Sequence, residues 1–401
     1  MSLIVLNVGQ NYYIRGGSDQ YQFALARLLK HHNHQVIPFA STDPKNRDTP
    51  WSKYFPEKVN FDSPTISDLI KFIYSRQAAD SMRVLCNEQP IDLAHLHIYY
   101  GQLTSSILTP LKQAGIPIVQ TLHEYKIVCP VYSLMSNNEP CQACNGSNFW
   151  QATVKRCNRG SLARSLLSTI ESYTSRILGS VSKVDHFIAV SDFQRNKLIE
   201  LGVPQAKITT VHNFIDLSYI PPSYEVGEYF LFFGRLERYK GIFTLIEAAS
   251  ALTDTPLLIV GDGTDRALVE QTITEQNLDH IKLLGFKEVH ELEQLIKGSI
   301  CTITPSEWYE TFGLSLIESF AHGKPVIASC IGGMTEIVTD GVDGYLIEPG
   351  NMQELRSRME WMSQNKEQAL QMGMLGRKKV AQKFNSELHY QKLMKIYQQV
   401  L

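Results

Sequence analysis

The chain has 401 residues, a formal net charge of −2, 43% hydrophobic residues and 19% charged residues. Its length implies two or three domains, and its balanced charge gives no electrostatic reason to expect a nucleic-acid partner. No apolar run approaches the roughly 18 residues of a membrane span.

The first residues, Met1-Ser2-Leu3-Ile4-Val5-Leu6-Asn7-Val8, lack a basic n-region. They read as a first strand rather than a signal peptide, so a cytoplasmic protein with reduced cysteines is expected. A strand over residues 3–8 is followed by the Gly16-Gly17 loop and a helix from about Ser18, read as N-cap, to His32. Val36–Phe39 reads as a second strand, 40–63 as a loop, and Leu93–His97 and Ile116–Thr121 as further strands. Residues 124–160 break the rhythm and carry four cysteines; Phe187–Val190 then leads into a helix at Ser191. A boundary falls near Val211–Asp216 and the following Pro221-Pro222. A second strand series runs through 229–234, 257–260, 281–284, 300–304 and 326–328. Strands alternating with amphipathic segments predict an α/β fold with two Rossmann-like halves and a cleft between them. Such sheets bind ligands beyond the carboxyl ends of their strands.

The stretch Pro305 to Glu318 is the most informative. It reads as strand, tight Thr311-Phe312-Gly313-Leu314 loop and helix, with Glu310 and Glu318 on either side of the turn. A helix N-terminus suits a phosphate, while carboxylates suit hydroxyls, and the two together point to a sugar nucleotide. Gly234-Arg235 and Lys240 follow another strand. With no Asp-x-Asp pair in the chain to hold a metal, fixed cations are the expected counter-charge for a departing diphosphate. Against this stand solvated surface charges for Arg235 and Lys240, and a structural ion pair for the glutamates.

These segments, taken in order, resemble the retaining glycosyltransferases of family 4, which have the GT-B fold. The match includes Gly16-Gly17, Thr121 to Tyr125, Val190-Ser191-Asp192, Asn213 to Asp216, Gly234-Arg235 with Lys240-Gly241, Val260 to Gly263, Leu284-Gly285, Pro305 to Ser329, and Gly332-Gly333 with Glu336. The resemblance implies an acceptor-side domain over 1–215, a nucleotide-sugar domain over 216–383, and a helix over 384–401 that returns to the first. It also implies that Arg235 and Lys240 bind the donor diphosphate, and that backbone N–H groups of Thr311, Phe312, Gly313 and Leu314 hold the distal phosphate. Glu310 would contact donor-sugar hydroxyls, Glu318 the ribose, and His123 would lie beside the reaction centre. Gly16, Gly17 and Gly234 would approach the donor closely, and Asp262, Gly263, Phe286 and Lys287 are candidates near the base. The chain has His123-Glu124 where the family often has His-Asp, and Asn213-Phe214 where it often has Asn-Gly.

The implied activity is metal-independent, retaining transfer from a UDP-sugar, favoured over a GDP-sugar, to a saccharide or lipid-linked saccharide in surface polysaccharide synthesis. No cofactor is required for it. A small soluble acceptor, a sugar-nucleotide epimerase and an inactive binding module are the alternatives.

Cys129, Cys141, Cys144 and Cys157 have the spacing C-x11-C-x2-C-x12-C. They read as a structural zinc site, buried reduced thiols or a redox pair. Residues 150–183 carry Lys155, Arg156, Arg159, Arg164, Arg176 and Lys183 against the single acid Glu171 and around an apolar helical pattern. Such a segment either lies on anionic lipid at the inner face of a membrane or packs its apolar side on the sheet with a solvated polar face.

Overall fold

The structure, a computed structural model, describes residues 2–401. The chain forms two compact units, one running to His212 and completed by His389–Leu401, the other Asn213–Leu388. Among the described residues, no helix is long and apolar enough to cross a membrane.

The first unit is built on a six-stranded parallel sheet of β1 (Ile4–Val8), β2 (Gln35–Phe39), β3 (Leu93–Leu96), β4 (Ile118–Leu122), β5 (His186–Ala189) and β6 (Ile208–Thr210), in the order β2-β1-β3-β4-β5-β6. Every residue of β3, β4 and β5 is buried. That explains why these strands read as continuous apolar runs: both faces of a parallel sheet are covered. β1 pairs with β2 on one side and β3 on the other, so the strand order reverses there.

The second unit repeats the plan with β7 (Tyr229–Phe233), β8 (Leu257–Val260), β9 (Ile281–Gly285), β10 (Ser299–Thr304), β11 (Val326–Ser329) and β12 (Gly344–Ile347). The order is β9-β8-β7-β10-β11-β12, so the reversal lies between β7 and β10. Phe230, Phe232, Ile246, Ile259, Ile303 and Met359 are among its core residues. β6 and β12 lie outside the expected strands; each is an edge strand of three or four residues, too short and too weakly apolar to show in the sequence pattern.

Of the helices, α1 (Gly17–His31) follows β1, α2 (Ile66–Ile73) precedes β3, and α3 (Trp150–Val154) and α4 (Leu162–Leu178) lie between β4 and β5. In the second unit α5 (Ile242–Ala249) follows β7 and α6 (Leu314–Ala321) follows β10. α7 (Ser386–Val400) begins in the second unit and ends in the first, where Leu393, Ile396 and Tyr397 are buried.

Two expectations are corrected. α1 is capped at Gly16, not Ser18; the Asp19 carboxylate folds back to accept from the Gly16 and Arg15 N–H groups at 3.1 and 3.0 Å, which fixes the chain's entry into the helix. α4 does not pack its apolar side on the sheet. It buries Ser165, Ser168, Thr169, Glu171, Ser172 and Ser175, and exposes Leu162, Leu166, Ile170, Tyr173 and Ile177. The inversion follows from partners. Glu171, fully buried, pairs with Lys126 at 2.5 Å, and the small hydroxyl side chains bond to Ser105, Thr153 and Glu171.

Candidate functional site

In the second unit, the loops after β7 and β10 meet at the point where the strand order reverses, the position at which open α/β sheets bind ligands. They are tied together by backbone. The Glu307 N–H donates to the Tyr239 carbonyl at 2.8 Å. Gly241 has φ +71°, and a Cβ there would stand 1.8 Å from the Pro305 carbonyl oxygen. Only glycine allows that approach.

This brings Lys240 onto Glu310. The two form a short ion pair, Ser306 Oγ donates to the same carboxylate at 2.9 Å, and the Lys240 ammonium lies 4.8 Å from the centre of the Trp308 ring. Burial by itself pushes the Glu310 carboxyl up, but the Lys240 charge and hydrogen bonds from Lys240 and Ser306 outweigh it and hold the group below its ordinary value. Glu310 is therefore ionised at neutral pH. Its carbonyl accepts from the Gly333 N–H at 2.8 Å. Arg235 is half exposed, 3.3 Å from Glu237, with its guanidinium 5.9 Å from the Tyr239 ring.

Gly313, at φ +114°, is the N-cap of α6 with no side-chain cap, so the first turn of that helix opens toward the loop. Thr311 and Phe312 are buried and Leu314 is half-buried. Glu318 is half-buried and sits one turn into α6, on the same face as Leu314. Gly234 ends β7 and hydrogen-bonds to Val260 at 3.0 Å. Beyond β8, the Asp262 side chain accepts from the Gly263 N–H at 2.8 Å while its carbonyl accepts from Leu236 N–H at 3.0 Å. Beyond β9, the Phe286 ring is 65% exposed and Lys287 pairs with Glu291 at 3.1 Å. The structure thus joins Lys240 to Glu310 directly and sets the remaining candidates at the carboxyl ends of adjacent strands.

In the first unit, His123 at the end of β4 belongs to a chain of histidines. His97 Nε2 lies 2.8 Å from Asn7 Oδ1 and His97 Nδ1 lies 3.2 Å from His123 Nε2. Asn7 Oδ1 only accepts, since the Asn7 amide nitrogen faces the Gln22 carbonyl. His97 therefore carries its proton on Nε2. Burial, with His95 and His123 nearby, holds its pKa well below the ordinary value and keeps the ring neutral. Its Nδ1 then accepts, and His123 donates from Nε2. Burial lowers His123 to about 3, so it too is neutral. Tyr21 packs edge-on to His123 at 5.0 Å and shares a hydrogen bond with His389 of α7 at 3.0 Å. Gly16 and Gly17, at the start of the same α1, are exposed and half-buried.

The four clustered cysteines all line one small cavity and form no disulfide. Burial raises the Cys129 thiol to about 11, and burial with the other three cysteines raises Cys144 to about 12.

Sequence reasoning missed His97, Asn7, Ser306 and Trp308. His97 follows β3 as His123 follows β4, a regularity visible once both strands are placed. Ser306 and Trp308 lie within the Pro305–Glu318 stretch but carry no charge to draw attention.

Two family models cover the chain: Glycosyltransferase Family 4 over residues 15–219 and Glycosyl transferases group 1 over 218–379. The chain belongs to glycosyltransferase family 4. An uncharacterized glycosyltransferase of Methanocaldococcus jannaschii is 31% identical over 54% of this chain and 60% of its own length. N-acetyl-alpha-D-glucosaminyl L-malate synthase of Bacillus anthracis is 27% identical over 59% of this chain and 65% of its own. The chain thus spans just under two thirds of these relatives. Sucrose-phosphate synthase from Thermosynechococcus elongatus shares the fold at a TM-score of 0.74 and 20% identity, covering 100% of this chain and 99% of that one. HepE of Anabaena, solved with UDP-glucose, does so at 0.70 and 18%, covering 99% and 100%. The fold is GT-B, two parallel-sheet Rossmann-like domains.

Proposed function

We propose that the protein is a retaining, metal-independent glycosyltransferase that moves a sugar from a UDP-sugar to a lipid-linked saccharide in surface polysaccharide synthesis. The observation that carries the transferase reading is the ionised Glu310 held by Lys240 and Ser306 at the strand-order reversal, ahead of the α6 N-terminus, with Arg235 in the same loop as Lys240. A fixed carboxylate accepts from sugar hydroxyls, the two cations offset the diphosphate charge, and the helix start receives the distal phosphate. The Phe286 ring offers a face to the base. HepE, a protein of the same fold, has been solved with UDP and with UDP-glucose, which favours UDP over GDP. A glycosyltransferase of amylovoran biosynthesis from Erwinia amylovora is 26% identical over 53% of this chain, which favours polysaccharide synthesis.

In the proposed reaction the bond between the anomeric carbon and the diphosphate oxygen breaks while the acceptor oxygen bonds to the same face. The acceptor proton passes to a phosphate oxygen of the leaving diphosphate. His123, neutral and already donating from Nε2 to His97, serves as a hydrogen-bonding wall rather than as the base.

The inverted α4 favours a lipid-linked acceptor over a small soluble one. Beside it α2, which packs against α4, buries none of its residues. Ile66, Leu69 and Ile70 of α2, Trp150 and Val154 of α3, and the five apolar residues of α4 are all exposed. Exposed Lys155, Arg156, Arg159 and Arg164 lie on the same segment. An apolar face bordered by cations matches an anionic bilayer surface, so a peripheral position at the inner face of a membrane is part of the proposal.

Calorimetry with UDP, GDP and their glucose conjugates tests the donor, and anomeric NMR of the product with and without EDTA tests the stereochemistry. UDP binding and a retained anomer in EDTA are expected; an inverted product, a covalent glycosyl-enzyme or GDP-only binding overturns the reading. Co-sedimentation with phosphatidylglycerol vesicles tests the surface. Ile170→Ser with Ile177→Ser, and separately neutralised Arg156, Arg159 and Arg164, should each release the protein; equal, salt-independent sedimentation of all forms refutes the membrane contact.

A further inference from the structure

The segment from residue 124 to 160 is held in shape by few regular elements. It contains the two-residue hairpin Met135–Ser136 with Glu139–Pro140 and the single-turn helix α3. Of the ten non-glycine residues with positive φ among the described residues, seven lie here: Tyr132, Leu134, Asn137, Asn138, Asn145, Arg156 and Arg159. Backbone of this kind persists only where its surroundings over-determine it. Some of that comes from Arg176, whose guanidinium donates to the Ile127 and Gly146 carbonyls at 3.1 and 2.5 Å.

The remaining feature common to the segment is sulfur. Cys129, Cys141, Cys144 and Cys157, spread over 29 positions of sequence, line a single cavity of about 10 Å³, the volume of one water-sized sphere. The rest of its wall is largely apolar, with Val128, Leu134, Met135 and Leu201. The N–H groups of Val131 and Leu134 point at the Cys129 sulfur. Such donors fix the orientation of a metal-bound sulfur and share its negative charge. Lys126 and Lys155 act on Cys129 and Cys157 respectively.

We infer that these four cysteines form a tetrahedral zinc site that fixes the 124–160 segment. A zinc ion with four thiolates is closed to substrate and does no chemistry. Its binding displaces four thiol protons to solvent and leaves a complex of charge −2, which Lys155 partly offsets, the nearby Lys126 being already paired with Glu171. As the side chains stand, no three of the sulfurs lie within 4.8 Å of one another. Zinc–sulfur bonds of about 2.3 Å imply sulfur separations of about 3.8 Å, so binding requires the thiols to move inward. The site carries α3 and leads into α4, so it acts on the shape of that face and not on transfer. It holds whether or not the proposed donor reading is right.

The test is elemental analysis of the untagged full chain, purified under reducing conditions without chelator. About one zinc per chain is expected. Cobalt substitution should give the thiolate-to-metal absorption and the intense visible bands of a tetrahedral site. Cys144→Ser and Cys157→Ser should lose the metal, while Cys86→Ser and Cys330→Ser keep it. Should the ligand variants fail to fold, the wild-type chain answers instead: stripping with a strong chelator should make the 124–160 segment sensitive to protease, and added zinc should restore it. Zinc below about 0.1 per chain after reconstitution, or a disulfide among the four found by mass spectrometry of the unreduced chain, overturns the proposal.

Discussion

Glu310 and Glu318 stand eight residues apart, but the structure gives them different surroundings. Glu310 is buried and held by a cation and a hydroxyl; Glu318 is half-buried on the second turn of a helix. The proposed roles, sugar for the first and ribose for the second, are therefore separable. Glu310→Gln should cut kcat/KM by about 100-fold or more, because it removes a fixed charge at the reacting sugar. Glu318→Gln should weaken UDP itself by about tenfold, the worth of one charge-assisted hydrogen bond. Calorimetry with UDP and steady-state rates with the donor distinguish them, and two variants that bind and turn over like the parent would remove this loop from the donor site. The ion pair also has a pH signature. The folded carboxyl lies below its ordinary value of 4.5, so its contribution to stability is present above that pH and is lost as pH falls through the lower folded value. The stability gap between wild type and Glu310→Gln should shrink over that acid range in urea titrations.

Ten of the twelve sheet strands, all but the short edge strands β6 and β12, are legible in the sequence because buried parallel strands are largely apolar runs flanked by glycine loops. The candidate site loop is legible for a related reason: its charges sit where a strand ends. What could not be read was pairing. Lys240 and Glu310 lie 70 positions apart, and only the reversal of strand order between β7 and β10 brings them together. The sequence leaves the orientation of α4 open between lipid and sheet, because its apolar periodicity looks like a core stripe. The deciding fact was a buried charge, Glu171 on Lys126, that a periodicity argument does not contain. The row of histidines is another cross-strand product, joining β3 and β4 to α7. His95 bonds to Tyr397 at 2.6 Å and to Thr121 at 2.7 Å. Burial, with His123 and His389 nearby, lowers His95 to about 3, and burial lowers His389 to about 4. Protonation of such groups favours the unfolded chain, so their contribution is complete above the ordinary value of 6.5 and declines as pH falls toward 4. Each histidine adds up to ~1.4 kcal/mol per pH unit to that loss. The urea midpoint of the first unit should fall steeply between pH 6.5 and 4, and His95→Gln should flatten the slope. An unchanged slope in that variant would show that His95 is not among the groups responsible.

α7 gives the two units a covalent link that neither sheet provides. Its first residues belong with the second unit, and from His389 onward it belongs with the first. There it buries Leu393, Ile396 and Tyr397, stacks Tyr390 on His32 with ring centres 3.5 Å apart, bonds Tyr390 to His34 at 2.8 Å, and places His389 between Tyr21 and the His212 carbonyl. Removing residues 389–401 therefore withdraws apolar area and four hydrogen bonds, two of them buried, from the first unit. Each large buried side chain lost costs about 2–5 kcal/mol, and the buried His95 Nδ1, left without Tyr397, adds about 1–3 kcal/mol. That total rivals the ~5–15 kcal/mol by which a domain is stable. A chain ending at Leu388 should thus lose the unfolding transition of the first unit in differential scanning calorimetry while keeping that of the second. If the donor site is as proposed, UDP should still raise the surviving transition, since a ligand stabilises the unit that binds it. Loss of both transitions together would mean that the second unit depends on the first for its fold. Survival of both would mean that α7 contributes less than its burial implies.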